Sequence, residues 1–455
     1  MENLQSLREG VASGRLQGQR ELKVSDDLQA FPMEILALAE SLELLVLSGN
    51  KLSALPPEFA QLKHLKIVFF NNNLFTSFPA VLAECPELSM ISFKSNQIRV
   101  VPEGVLSPSV RWLILTDNQI TDLPKDIGRL ERLQKLMLAG NKLRSLPDDM
   151  RHCKRLELIR LSANQLTELP SWLLSLPRLS WLAYAGNPLC NDQNPDDQNP
   201  DNQNQKGTAL PLIKDSELAL GSVLGQGASG IIYEGKWHEK TVAVKLFKGN
   251  ITSDGLPIDE MRACIAAGHH PNLVNVLGKV SSQKAQAGLV FSFIAPEYQN
   301  LGGPPSLESC TRDTYGNEVT FSLQVVLNIV RGIASAIAHL HSRGITHGDL
   351  YAHNIFINDV GDSILGDFGA ASFFPASSVK STNDVTDAEQ VKSLKSLESR
   401  AFGCLLEDLL DRCVVNENQT EEADLFKKIR DLQRDCLSET PATRPLFEEI
   451  CAALT

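Results

Sequence analysis

The chain has 455 residues, 43% hydrophobic and 22% charged, enough for two or three domains with sizeable cores. A formal net charge of −12 argues against nucleic acid or an anionic membrane surface as the main partner, since both attract basic proteins. Nowhere do about eighteen apolar residues run together, and Met1 to Arg20 lacks the apolar core of a secretory signal, so no membrane span is expected. Nine scattered cysteines without metal-ligand spacing read as reduced, buried thiols in a cytoplasmic protein.

The first half is periodic. Asparagine recurs as Asn50, Asn73, Asn96, Asn118, Asn141, Asn164 and Asn187, each in the frame L-x-x-L-x-L-x-x-N-x-L-x-x-L-P with apolar residues exchanging freely. The clearest copy runs Leu133, Leu136, Leu138, Asn141, Leu143, Leu146, Pro147. A short strand with leucines on one face cannot bury them alone, so successive turns must stack and share a core. Each buried asparagine then needs hydrogen-bond partners, which the neighbouring turns' backbones supply. A weaker copy (Leu22, Val24, Leu28, Phe31, Pro32) has Asp27 at the asparagine position and is expected in an N-terminal cap. The frame resembles the leucine-rich-repeat family, which implies an α/β solenoid, a horseshoe, over residues 1–190. Extracellular members carry paired cysteines in their caps, and the isolated Cys190 suits an intracellular setting.

Strand positions between the leucines face the concave side of such an array. They hold Phe69, Met90, Trp112, Ile114, Met137 and Trp181, with Lys94, Lys135 and Arg160 among them. Large apolar residues facing solvent are expected to be covered, and aromatic and arginine anchors are common hot spots. The surface around Phe69, Trp112 and Trp181 is therefore expected to dock a protein substrate or regulator, or the chain's own second half. Residues 191–206 carry no apolar side chain except proline, and 191–208 is read as a disordered tether between domains.

Beyond the tether the pattern changes. Ser216 to Lys248 reads as strand, glycine turn, strand, strand, with Gly225, Gly227 and Gly230 in the turn and Val242-Ala243-Val244-Lys245 in the last strand. The strand after the glycines disfavours a dinucleotide site, which needs a helix there. A helix is predicted from about Pro257, carrying Asp259 and Glu260, and a strand from Leu289 to Ile294 containing Phe291. Val326, Val330, Ile333, Ile337 and Leu340 recur at helical spacing and predict a buried amphipathic helix. It delivers the chain to His347-Gly348-Asp349-Leu350-Tyr351-Ala352-His353-Asn354, with Asp367-Phe368-Gly369 thirteen residues beyond Asn354.

In this order and spacing the motifs resemble the protein-kinase signature set over residues 209–455, implying an α+β bilobal domain that uses ATP and Mg2+. The resemblance implies a catalytic role for Asp349, and Lys245 on the α- and β-phosphates held by Glu260, with Asp259 as the fallback. It further implies Gly225, Gly227 and Gly230 over the phosphates, Ile232 and Ala243 against adenine, and Asn354 and Asp367 on the metal. A leucine-rich-repeat array joined to such a domain, with this loop sequence, is similar to a bacterial group of leucine-rich-repeat protein kinases. A serine/threonine protein kinase is the expected activity.

The sequence departs from the pattern at several places. Gly348 replaces the usual arginine before the catalytic aspartate, Tyr351 stands where serine/threonine kinases place lysine, and His353 where tyrosine kinases place arginine. Glu398 replaces an aspartate, and no Ala-Pro-Glu follows Gly369, leaving Arg444 without its usual partner unless Glu389 serves. His-Gly-Asp also occurs in small-molecule kinases, so that class stays open, as does a nucleotide-binding scaffold without turnover. Ser372, Ser377, Ser378, Ser381, Thr382 and Thr386 are candidate self-modification sites.

Overall fold

The structure is a computed structural model that describes residues 2–190, 210–227, 229–249, 251–281, 287–375, 387–415 and 420–455. It divides into two compact units, Met1–Leu179 and Ser180–Thr455. The stretch read as a tether, and the hydroxyls of 377–386, lie outside the described residues.

In the first unit, three-residue strands at Glu21–Lys23, Leu44–Val46, Ile67–Phe69, Met90–Ser92, Trp112–Ile114, Lys135–Met137 and Leu158–Arg160 pair in parallel, each with the next. The central residue of every strand, from Leu22 to Ile159, is buried. Short 3-10 turns return the chain, and Pro32, Pro56, Pro79, Pro124 and Pro147 precede them with φ between −64° and −74°. Proline's ring presets that angle, which explains the final residue of the repeat frame.

The asparagine column satisfies itself as expected. Asn141 Nδ2 donates to the carbonyls of Leu115 and Leu138, both at 2.9 Å, and its Oδ1 accepts from Ile120 N at 3.0 Å. Asn118 does the same one turn earlier, to Phe93 and Leu115 and from Ile98. Phenylalanines fill the N-terminal half of this core, where Phe70 and Phe93 stack at 5.0 Å and Phe75 meets Phe93 edge-on. At the cap, Asp27 stands out in solvent with φ +49° and pairs with Lys51, so the first turn has no buried amide of its own.

The second unit begins with the strand Trp181–Ala183 and then builds a six-stranded sheet. Five antiparallel strands lie in the order Leu218–Gln226, Gly230–Trp237, Lys240–Phe247, Gly288–Ser292 and Val276–Ser281, and Leu212–Lys214 closes the edge in parallel. Strand alternation puts Val242 and Val244 into a core with Ile213, Val280 and Val290, and leaves Ala243 and Lys245 on the opposite face. That face receives the helix Pro257–Ala267, whose buried residues Pro257, Glu260, Ala263, Cys264 and Ala267 keep helical spacing.

The rest of the unit is mainly helical, with Leu323–Ser342 at its centre and Asp387–Leu410, Thr420–Cys436 and Phe447–Leu454 around it. Leu323–Ser342 is long and apolar enough by composition to cross a membrane, with mean hydropathy 1.5, but Val326, Val330, Ile333, Ile337 and Leu340 are fully enclosed in this core. All nine cysteines are free thiols, and burial raises the pKa of Cys85, Cys153 and Cys264.

Replacing Asn141 by alanine strands the Ile120 amide inside the array, while the Leu115 and Leu138 carbonyls keep Asn118 and Asn164 as donors. At about 1–3 kcal/mol for an unsatisfied buried group, the variant should lose about 1–3 kcal/mol in urea unfolding of the first unit. Alanine at the exposed neighbour Lys142 should stay within about 0.5 kcal/mol of the parent. Equal midpoints for both variants would contradict the ladder.

Candidate active site

Lys245 lies two residues before the end of its strand, opposite Ile232, and the register puts Ile232, Ala243 and Lys245 on one face of the sheet. Its ammonium is mostly buried and forms an ion pair with Glu260, whose side chain is 3% exposed. Asp259, the alternative partner, points away and meets Arg262 at 3.3 Å. Burial opposes the Lys245 charge, but Glu260 and Asp367 more than offset it, so the lysine pKa lies above its ordinary value. The cation is thus fixed between two acids from distant parts of the chain.

The three glycines before this strand are not equivalent. A side chain at Gly225 or Gly227 would meet nothing within 4 Å, so those backbones are open on the side a ligand would approach. A Cβ at Gly230 would lie 2.5 Å from the Leu246 carbonyl and 3.4 Å from the Lys245 Cε. Gly230 is therefore required by packing against the lysine strand, and only the first two leave room above it.

The loop His347–Asn354 is tied to the Asp367 turn by two bonds, both through Gly366, and braced by one within itself. His347 Nε2 donates to the Gly366 carbonyl at 2.9 Å, and His347 Nδ1 accepts from Asp349 N at 3.3 Å. Gly366 N in turn donates to the Asn354 carbonyl at 2.9 Å. The Asn354 amide donates to both the backbone carbonyl and Oδ2 of Asp349, each at 2.9 Å. Asp367 is exposed, with φ +53°, and its Oδ1 accepts from Gly369 N. Phe368 is buried beside the His347 ring.

The departures from the expected pattern have physical explanations. Glu398 is 3% exposed and spends both oxygens, accepting from Gly348 N and from His341 Nε2 at 2.7 Å each. Gly348 has φ +73°, and a Cβ there would lie 2.6 Å from the Ala370 carbonyl and 2.7 Å from that of Leu182. Arginine does not fit this position. His353, where tyrosine kinases place arginine, is surrounded by acids. Burial disfavours its charge, but a 2.7 Å bond to Asp313 and the fields of Asp349 and Asp367 raise its pKa. Arg444 is buried and reaches the carbonyls of Ser438 and Ser396.

Two expectations need correction. Trp181, expected on a face that docks a separate protein or the chain's own second half, is closed to a separate protein, being 2% exposed and stacked on Tyr351 with ring centroids 4.4 Å apart. Ser372 was a modification candidate, but it is fully buried and its hydroxyl oxygen accepts from the amides of Tyr184 and Ala185. Sequence reading missed Asp313, which accepts from Ala352 N at 2.6 Å as well as holding His353. It stands in a polar stretch with no periodicity, and nothing local marks it.

The donor set fits a magnesium-bound nucleoside triphosphate. Among the described residues no group of three or more His, Cys, Asp or Glu is arranged to hold a metal. Magnesium needs only one or two protein oxygens when phosphates supply others, and Asn354 and Asp367 carry such oxygens, Asp367 acting on the charge of the buried Lys245. Apolar Ile232 and Ala243 share the lysine's face, as a base would require.

An arginine forced into Gly348 should destabilise the second unit instead of creating an anion-binding side chain. The left-handed backbone alone costs about 1–2 kcal/mol, and the two carbonyls add to it. Thermal unfolding of the G348R chain should show a lower midpoint, and a midpoint equal to the parent's would contradict this packing.

A model of the protein tyrosine and serine/threonine kinase family matches residues 218–403, and a leucine-rich-repeat model matches residues 40–106, 108–166 and 131–189. The chain is 27% identical to the Dictyostelium discoideum protein named probable serine/threonine-protein kinase kinY, over 53% of this chain and 47% of that one. It is 25% identical to probable serine/threonine-protein kinase gdt2 of the same organism, over 52% and 16%. A solved leucine-rich-repeat protein of Leptospira interrogans is 28% identical over 36% of this chain and 48% of that one, with a TM-score of 0.32. The chain spans less than half the length of these curated relatives. Joined in one polypeptide are leucine-rich repeats, up to residue 189, and a domain of the protein tyrosine and serine/threonine kinase family.

Proposed function

We propose that the chain is an ATP- and magnesium-dependent protein kinase acting on serine or threonine, with its repeats recruiting a protein substrate or regulator. The observation that carries this reading is the closed Lys245–Glu260 pair together with Asn354 bonded to Asp349 and Asp367 acting electrostatically on Lys245. The names of the curated relatives support serine/threonine over the other acceptors.

In this reading Lys245 donates to phosphate oxygens, and Glu260 keeps its ammonium from swinging into solvent. The amides flanking Gly225 and Gly227 close over the phosphates, and Ile232 and Ala243 give the adenine an apolar wall. Asn354 and Asp367 hold magnesium, which when bound offsets the charge of the transferring phosphoryl group. Asp349 accepts or orients the proton of the acceptor hydroxyl, and the Asn354 amide fixes its carboxylate for that task. His353, its ring held by Asp313, stands near Asp349 at the position where tyrosine kinases place arginine. Most of the rate gain comes from placement and electrostatics, so these few groups suffice.

Leucine-rich repeats commonly mediate protein–protein contact, and Phe69 and Trp112 supply an apolar surface for it. Both are half-buried, and the Lys135 ammonium lies 4.2 Å from the Trp112 ring centroid.

With labelled ATP and dephosphorylated casein as acceptor, Asp349→Asn should lower transfer at least about a hundredfold while keeping the ATP–magnesium thermal shift. Lys245→Met should lose that shift. Label confined to small acceptors would point to a small-molecule kinase, and a shift without any turnover to a scaffold. The double change Phe69→Ala with Trp112→Ala should leave casein labelling intact and abolish labelling of any protein that co-purifies with the parent. Retained labelling would place recruitment elsewhere.

A further inference from the structure

The segment Trp181–Ala185 makes contacts that the phosphotransfer reading does not use. The Trp181 indole lies parallel to the Tyr351 ring, 9° from coplanar, and its Nε1 donates to the Leu350 carbonyl at 3.0 Å. Tyr351 faces the His353 ring at 5.1 Å, so three rings form one pile beside Asp349. The Leu182 carbonyl packs against Gly348, and the amides of Tyr184 and Ala185 hold Ser372, whose own carbonyl accepts from Thr346 Oγ1. Residues on both sides of Asp349, at positions 346, 348, 350 and 351, are thus held directly or through Ser372 by five consecutive residues. These five belong by sequence to the last leucine-rich repeat, which the repeat model carries to residue 189.

We propose that Trp181 is a positioning residue for the Asp349 loop, and that the last repeat's strand is in this way part of the catalytic apparatus. Stacking and one buried hydrogen bond fix the backbone of Leu350 and Tyr351. The Asp349 carboxylate, one residue away, inherits its orientation from them. The activity arm of the test rests on the kinase reading, but the exchange arm does not.

The experiment uses the full chain with Trp181→Ala, Trp181→Phe and, as a control in the first unit, Trp172→Ala. Hydrogen–deuterium exchange of residues 345–355 should quicken at least tenfold in W181A. Exchange in residues 240–247 should stay unchanged, and W181F, which keeps a ring to stack, should lie between parent and W181A. In casein labelling, W181A should lower kcat tenfold or more with KM for ATP within twofold, and W181F should recover most of it. W172A should match the parent in both. Unchanged exchange at 345–355 in W181A overturns the proposal, as does faster exchange spread evenly over the second unit. A parent that transfers no phosphate sinks the kinase reading, and the exchange arm still decides the role of Trp181.

Discussion

Glu398 is an enclosed carboxylate with both oxygens committed, one to the Gly348 amide and one to the His341 ring. An ionised carboxylate deprived of water is tolerated only when hydrogen bonds replace that water. The arrangement links the helix Asp387–Leu410, the end of the helix Leu323–Ser342 and the entrance of the His347–Asn354 loop at one point. From there the ties run onward, His347 to Gly366, Gly366 to Asn354 and Asn354 to Asp349. The candidate site is the far end of that chain of bonds.

Much of this was legible in the sequence, for identifiable reasons. The repeats announce themselves because one hydrogen-bonding requirement recurs in every turn, so Asn118 and Asn141 could be assigned the same role from spacing alone. Lys245, Asp349, Asn354 and Asp367 stand out in the sequence because motif order encodes which elements they sit on. The choice of Glu260 over Asp259 followed from its spacing ahead of His270-Pro271-Asn272-Leu273-Val274, and the structure pairs Glu260 with Lys245 while Arg262 meets Asp259.

What the sequence hid depends on contacts across long stretches of chain. Asp313 lies 40 residues from His353, and Trp181 lies 169 residues from Leu350, so no local pattern pairs them. Trp181 looked like a surface anchor because its column in the repeat frame points outward, and the residues that cover it come from elsewhere. Gly225, Gly227 and Gly230 look alike in the motif, yet only the third is demanded by a neighbouring backbone. Gly348 looked like a lost arginine. Its positive φ and the Ala370 and Leu182 carbonyls show a position where no side chain of any kind has room.

Cys264 lies one helical turn after Glu260 on the face turned to the sheet, 5% exposed, with its thiol pushed well above the ordinary range by burial. A protonated, enclosed thiol is a poor nucleophile toward alkylating reagents. It becomes reactive only when the helix Pro257–Ala267 lifts from the strands beneath it, the same movement that would part Glu260 from Lys245. Alkylation of Cys264 would therefore report on the same helix–sheet packing that holds the ion pair closed.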